Sequence, residues 1–478
     1  MDYRQALEFV AQLADFERAS TDRIRYRDFN LPRVRAFLAG LGDPHLAVPC
    51  VHVAGTKGKG STVAMVASAL RSAGFRTGLY TSPHLHTIRE RIAVDGEPVT
   101  EEAFAGLVAR LAPLVTEFNR GGPASETSPP SRLRRSTPSP FTERGQGVRY
   151  GPLTTFEMLT AMAFVHFRDS GCELSVLEVG LGGRLDATNV VTPLVCGITN
   201  ISFDHVELLG NTLAAIAGEK AAIIKPGVPA VSAPQEPEAL EVIQRAAREN
   251  RSALTLAGRD ITWEPGESTL EGQRFTLRSV RGEYPVWTPL LGDFQMENAA
   301  TALGLCEALM DQGVPVTSDA VLDGLAKVSW PARLEVLRRG PLVVVDGAHN
   351  RHSMKRLVAE VRRRLPHENV ILVFGVTGGK DLDGMMDEMA GFPSRVVTCR
   401  SRHPKASDAV ALASAAMGRG MAAEAAPDTA SAVTKALAMA GPRDLVLVTG
   451  SLFVAAEARE AVLGIAPDPY PWGTPARP

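Results

Sequence analysis

The run from Gly55 to Thr62, Gly-Thr-Lys-Gly-Lys-Gly-Ser-Thr, combines the residue types that hold a phosphate: glycines, a lysine and two hydroxyls. Backbone N–H groups left uncovered by small residues point at an anion, and the N-terminus of a following helix adds a favourable field. Lys59 is placed to reach the outer phosphates, while Ser61 or Thr62 caps the helix and faces a metal. The usual loop of this kind ends Gly-Lys-[Ser/Thr], but here Gly60 separates Lys59 from Ser61. A glycine lengthens the turn without adding a side chain, so the cradle is expected to survive.

Other groups capable of chemistry stand where apolar runs end. TSPHL carries Ser82, TTFEMLTAMAF puts Glu157 near the start of a helix, and LEVGLGGRLDATN closes a strand in a polar turn. ITNISFDH brings Asp204 and His205 to another strand end, and GEKAAIIKPG supplies Lys220. Singly, each has an ordinary structural reading: a turn serine, a helix-start charge, a hydrogen-bonded histidine. Together, a hydroxyl, a carboxylate and an imidazole converging beside the loop would suit a mostly hydrated Mg²⁺.

The elements that must position these groups are strands alternating with helices. CVHVAGT, FRTGLYTS, LSVLEVGLGG, LVCGITNIS, PLVVVDGAH, NVILVFGV, RVVTC and DLVLVTGS read as short buried strands separated by helix-like segments. That rhythm implies parallel-rich sheets with both faces covered. TLEGQRFTLRSVRGEYPVW alternates polar and apolar residues about a central glycine and predicts a hairpin or small antiparallel addition. A second α/β domain is expected after Val328-Ser329-Trp330-Pro331, giving domains at 1–328 and 331–470. Residues 121–145 hold five prolines and five serines with four arginines, a composition expected to form a disordered surface insertion.

The totals exclude several classes. With 478 residues, 45% hydrophobic and 22% charged, the chain has material for more than one core. A net charge of −2 gives no sign of nucleic-acid or membrane affinity. The five cysteines are scattered without a C-x-x-C pair, which argues against a zinc site or disulfide framework. No apolar stretch is long enough to span a membrane, and the start lacks a signal peptide's apolar core, so a cytoplasmic protein is expected.

GTKGKGS, TSPHL, TTFEMLTAMAF, EVGLGGRLDATN, DHVELLGNT, EKAAIIKPG, WPARLE, VVDGAHN and LVTGSLF, in this order, resemble the folylpolyglutamate synthase/dihydrofolate synthase family of the Mur ligase superfamily. The resemblance implies a P-loop ATPase domain with a parallel-rich sheet, followed by a Rossmann-like α/β domain. It implies an ATP-dependent ligase that activates a folate or dihydropteroate carboxylate as an acyl phosphate, which the amine of L-glutamate then attacks. ATP and Mg²⁺ are the implied cofactors, and a monomer is expected. By position, Gly58, Lys59, Gly60, Ser61 and Thr62 resemble the phosphate cradle, and Ser82, Glu157 and His205 the magnesium ligands. Lys220 matches a lysine carbamylated in many members. Asn298, Arg333, Asp346 and His349 resemble nucleotide-contacting residues, and Asp186 lies in a motif near the pterin pocket.

The sequence departs from the family pattern at a few positions. Lys57 stands where asparagine is common, Ala332 where glycine is, and Lys405 where arginine is frequent, while VTGGKD softens the charge before Lys380. A peptidoglycan ligase is the first rival, but only about 50 residues precede the loop, too few for such an enzyme's separate sugar-nucleotide domain. A P-loop switch or motor would need a Walker-B aspartate, which neither VLEVGLGG nor GITNIS provides. An inactive binding protein fits poorly with the intact set Lys59, Ser82, Glu157, His205 and Lys220.

Overall fold

The structure is a computed structural model that describes residues 1–15, 28–120 and 151–468. The expected insertion at 121–145 lies outside the described residues.

Every run read as a strand is one. The first sheet holds β1 (Cys50–Ala54), β2 (Thr77–Tyr80), β3 (Ile92–Val94), β4 (Glu97–Pro98), β5 (Leu174–Glu178), β6 (Val195–Ile198), β7 (Ala230–Ser232) and β8 (Leu254–Leu256). Their spatial order is β4-β3-β2-β5-β1-β6-β7-β8. Pairing is parallel from β2 through β8, and β3 and β4 close one edge antiparallel. The strand β1 therefore lies between β5 and β6, with Val53 opposite Glu178 and Ala54 opposite Ile198. This register brings the C-terminal ends of β1, β5 and β6 to one rim, where an open α/β sheet binds ligands.

The 262–288 region is an antiparallel sheet of three strands, one more than a hairpin: β9 (Thr262–Ser268), β10 (Gln273–Ser279) and β11 (Gly282–Thr288). After residue 328 comes a second sheet built from β12 (Glu335–Arg339), β13 (Leu342–Val345), β14 (Val370–Phe374), β15 (Arg395–Thr398), β16 (Ala423–Ala425) and β17 (Leu445–Thr449), ordered β12-β13-β17-β14-β15-β16. Only β12 pairs antiparallel there. The short strands β7, β8, β12 and β16 carry too few apolar residues to announce themselves in sequence. Their pairing comes from sheet neighbours.

The helix that follows the glycine-rich loop, Lys59–Ser72, is buried from Ser61 to Leu70. Its Ala, Val and Met side chains face β-strands on one side and the helices Asp293–Asp311 and Ser318–Lys327 on the other. Burial of each large apolar side chain contributes about 1.5–3 kcal/mol, so this helix is anchored on all faces and its N-terminus is held in place. Contact with helix Ser318–Lys327 is closest at Gly324, where an added Cβ would stand 2.4 Å from the Ala69 backbone. Gly324→Ala is therefore expected to lower the unfolding free energy by about 1–3 kcal/mol, since overpacking against backbone cannot be relieved by a rotamer change. Urea unfolding of the two proteins side by side checks this.

Candidate active site

Helix Lys59–Ser72 starts from Gly58, a left-handed residue at φ 93 that makes no side-chain cap bond. Most other long helices here do carry such a cap, for example those starting after Thr100, Thr154, Thr317 and Asn350. The first N–H groups of the loop helix thus remain available to an anion. Thr62 is fully buried, and its Oγ1 has no hydrogen-bond partner among the described residues. The side chain of Asn298 lies over the loop, for a Cβ on Gly58 would stand 2.3 Å from its Oδ1.

Two carboxylates, Glu157 and Glu178, differ in where they lie. Glu157 is not at the loop. Its Oε1 accepts from Arg33 Nη2 at 2.7 Å and Nε at 3.0 Å, and its Oε2 accepts the Thr154 N–H and hydroxyl in a capping box. The ordinary helix-start reading is the one the geometry fits. Glu178, which ends β5 beside β1, takes the place at the loop. Its Oε2 accepts the Ser82 N–H at 3.1 Å, and its charge is felt by Lys59 and Arg333. Burial raises its pKa against the pull of those cations. The sequence reading passed over Glu178 because it completes an apolar strand. A carboxylate that ends a buried strand next to a phosphate-loop strand was the available signal.

Asp204 gathers cations from both halves of the chain. Lys57 Nζ lies 3.0 Å from its Oδ2 and Lys380 Nζ 2.8 Å from its Oδ1. Lys57 also donates to His349 Nε2 at 2.7 Å, while His349 Nδ1 stands 2.7 Å from the Gly347 carbonyl. Such an imidazole is neutral with its proton on Nδ1, and burial followed by the Lys57 charge lowers its pKa to about 4. Burial would raise the Asp204 pKa, but the charges of Lys57 and Lys380 hold it well below the usual range. The extra charge of Lys57 thus sits in a bridge between domains. Next to Asp204, His205 is left-handed at φ 52, with its side chain 42% exposed at the mouth of the site.

Lys220 is buried and donates to the Gly55 carbonyl at 2.9 Å, directly under the loop. Desolvation, then the charge of Lys59, brings its pKa down to about 7. Arg333 reaches from the linker, and its guanidinium is felt by both Asp346 and Glu178. Asp346 accepts the N–H groups of Leu334 at 2.9 Å and Ala348 at 2.8 Å, which staples the linker to the end of β13. Ala332 lies at φ 58, a left-handed position that explains on steric grounds why glycine suits it. Asp186 is a turn brace: it accepts from the N–H groups of Leu181 and Thr188 and from the Thr188 hydroxyl.

Residues 142–306 match the Mur ligase middle domain, and residues 332–452 match the Mur ligase glutamate ligase domain. The chain is 33% identical over 434 residues to the dihydrofolate synthase/folylpolyglutamate synthase of Bacillus subtilis, covering 90% of this chain and 94% of that protein. The chain belongs to the folylpolyglutamate synthase/dihydrofolate synthase family. Among solved structures, Mycobacterium tuberculosis folylpolyglutamate synthase complexed with ADP aligns with TM-score 0.83 and 30% identity, covering 98% of this chain and all of that one. The E. coli FolC complex with DHPP and ADP aligns with TM-score 0.79 and 27% identity, covering 97% and 98% of the two chains. The fold is that of a Mur ligase, and the family is one of ATP-dependent, amide-forming ligases.

The Arg33–Glu157 pair is almost fully buried, with side chains 8% and 7% exposed. Arg33→Met leaves Glu157 without its partner and is expected to cost about 3–5 kcal/mol of stability. An unfolding midpoint unchanged from wild type would contradict this structural role.

Proposed function

We propose that this chain joins L-glutamate to a folate-type carboxylate, using ATP and passing through an acyl phosphate. The single observation that carries this is the uncapped helix N-terminus at the end of β1, surrounded by Lys59, Lys220, Glu178 and the linker's Arg333. Family membership supports the acceptor and the amine.

A carboxylate is a poor electrophile until one of its oxygens becomes a phosphate leaving group. In the first step an acceptor carboxylate oxygen bonds to the γ-phosphorus, and the bond to the ADP oxygen breaks. In the second, the amine of glutamate adds to the acyl carbon, phosphate leaves with the C–O electron pair, and the amine loses a proton. The barrier lies in bringing anions together. Preorganised cations and N–H groups lower it because they require no reorganisation at the moment of reaction.

In this reading Gly58, Lys59, Gly60, Ser61 and Thr62 cradle the phosphates, with Asn298 above the loop. Arg333, Asp346 and His349 bring the second domain's side of the nucleotide site. Mg²⁺ would neutralise charge between the phosphates. The donor set suits it: Ser82 and Glu178 lie together at the ends of β2 and β5, and His205 stands in the loop after β6, at the start of helix Val206–Leu209. The unpartnered Thr62 hydroxyl fits the same hard-oxygen environment. We assign the carboxylate ligand to Glu178 in place of Glu157. Lys220 would carry a carbamate, for which a neutral amine is required, and burial has brought its pKa to about 7. We take 1–328 and 331–470 as the two functional domains, acting as a monomer in the cytoplasm. Among the described residues no helix is long and apolar enough to cross a membrane.

ADP release is expected only when both L-glutamate and a pteroate or folate acceptor are present, and parallel assays with dihydropteroate and tetrahydrofolate identify the acceptor. Lys59→Ala should reduce turnover by ~10²-fold with an unchanged circular dichroism spectrum. Wild-type rates in that variant would remove the phosphate-loop assignment.

The Lys220 carbamate has its own test. The neutral amine dominates above the lowered pKa, so occupancy should rise as pH increases through about 7. With ¹³C-bicarbonate, a carbamate carbon resonance should appear in wild type and be missing in Lys220→Arg. Equal spectra, or full activity in the arginine variant, would leave Lys220 as an ordinary cation.

A further inference from the structure

The glycine inserted into the phosphate loop faces a specific neighbour. A Cβ on Gly60 would stand 2.7 Å from Trp330 Cζ2 and 2.9 Å from Trp330 Nε1. Any side chain at this position would strike the indole ring, so the departure from the usual loop spacing is also a steric requirement of the linker. The ring packs against the first domain's core, while its Nε1 is buried and makes no hydrogen bond to any described residue. A buried N–H without an acceptor is costly, and burial at this point sets it beside the loop that has free N–H groups of its own.

The linker beyond the ring is tied to the second domain. The Ala332 N–H donates to Glu335 Oε2 at 2.7 Å, and the Gly347 N–H donates to the Ala332 carbonyl at 3.1 Å. Two residues on, Leu334 N–H meets Asp346. A short path therefore runs from Gly60 to Trp330 by ring contact and from Ala332 to the end of β13 by hydrogen bonds. Displacement of the loop by a ligand would be felt along it.

We propose that Trp330 is a positioning residue for the nucleotide: its ring holds the phosphate loop to the linker, and its indole N–H takes a phosphate oxygen once the loop is filled. This rests on the reading of the loop as the nucleotide site. It adds a donor outside the loop motif and gives the second domain a direct link to loop occupancy. It also distinguishes the ring's packing from its N–H, which can be removed separately.

Indole ¹H–¹⁵N spectra of the full chain, recorded with and without ADP, test it. Trp330→Phe removes one cross-peak and so assigns it. That peak is expected to move when ADP is added to wild type and to stay in place in Lys59→Ala. Trp330→Phe keeps a ring but no donor, and should bind ADP about tenfold more weakly. Its effect should fall on the KM for ATP more than on kcat. Gly60→Ala, which forces the ring away, should weaken ADP binding while leaving the circular dichroism spectrum native. If wild type binds ADP with the Trp330 peak unmoved, or Trp330→Phe binds ADP as tightly as wild type, the proposal is wrong. No ADP response of any kind in wild type would overturn the nucleotide reading itself, and this inference with it.

Discussion

An excess of positive charge in a partly dry cleft is the constraint on which the site depends. The uncapped end of helix Lys59–Ser72, Lys57, Lys59, Arg333 and Lys380 all bear on the rim where β1, β5 and β6 end. Among the described residues Asp204 pairs directly with Lys57 and Lys380, while the charges of Glu178, Asp346 and Asp186 act on the others. The amines are not at ease there: burial brings Lys57 down to about 8 against the opposing pull of Asp204, and burial followed by the Lys59 charge brings Lys220 to about 7. A polyanion entering the cleft relieves that repulsion. Desolvation, normally a penalty, makes the same cations act more strongly on it.

The second domain reaches this cleft through ionic contacts, added to the packing of Leu270, Leu291 and Phe294 against its core. Lys380 and His349 meet Asp204, Arg356 pairs with Glu297 at 2.6 Å, and Arg364 pairs with Asp293. On the far side His86 lies 3.1 Å from Glu460, and the Tyr3 hydroxyl donates to Asp468 at 2.6 Å. Polar contacts of this kind are weaker and more reversible than apolar burial. The linker Val328–Leu334 adds a packed element, with Trp330 on one domain and Ala332 and Leu334 bonded to the other.

Much of this was legible in sequence, and the failures have physical causes. The glycine-rich turn between β1 and its helix, the strand–helix alternation and the start of a second sheet after Trp330 follow from local pattern: glycine at a strand end, apolar runs of strand length, a proline after the break. Glu157 misled because a carboxylate at a helix start is also a good cap. The spacing Thr154-x-x-Glu157 was the signal for a capping box, and burial of Arg33 against it is a tertiary fact. Glu178 was hidden by its strand, since only the β1–β5 register puts it beside Lys59. Lys57 stands out in sequence only as a departure from the family pattern, because its pairing with Asp204 and His349 spans 147 and 292 residues of chain. Asp186 lies in the expected loop but uses its oxygens on that loop's own backbone.

The most direct test of the account is where the metal and the phosphates sit. A crystal grown with a non-hydrolysable ATP analogue and Mn²⁺, and measured for anomalous scattering, locates both at once. The account predicts a manganese peak touching the Glu178 carboxylate and the Ser82 hydroxyl, with the phosphates on the N–H groups of residues 58–62. A peak at Glu157, or phosphates bound away from the loop, would contradict it.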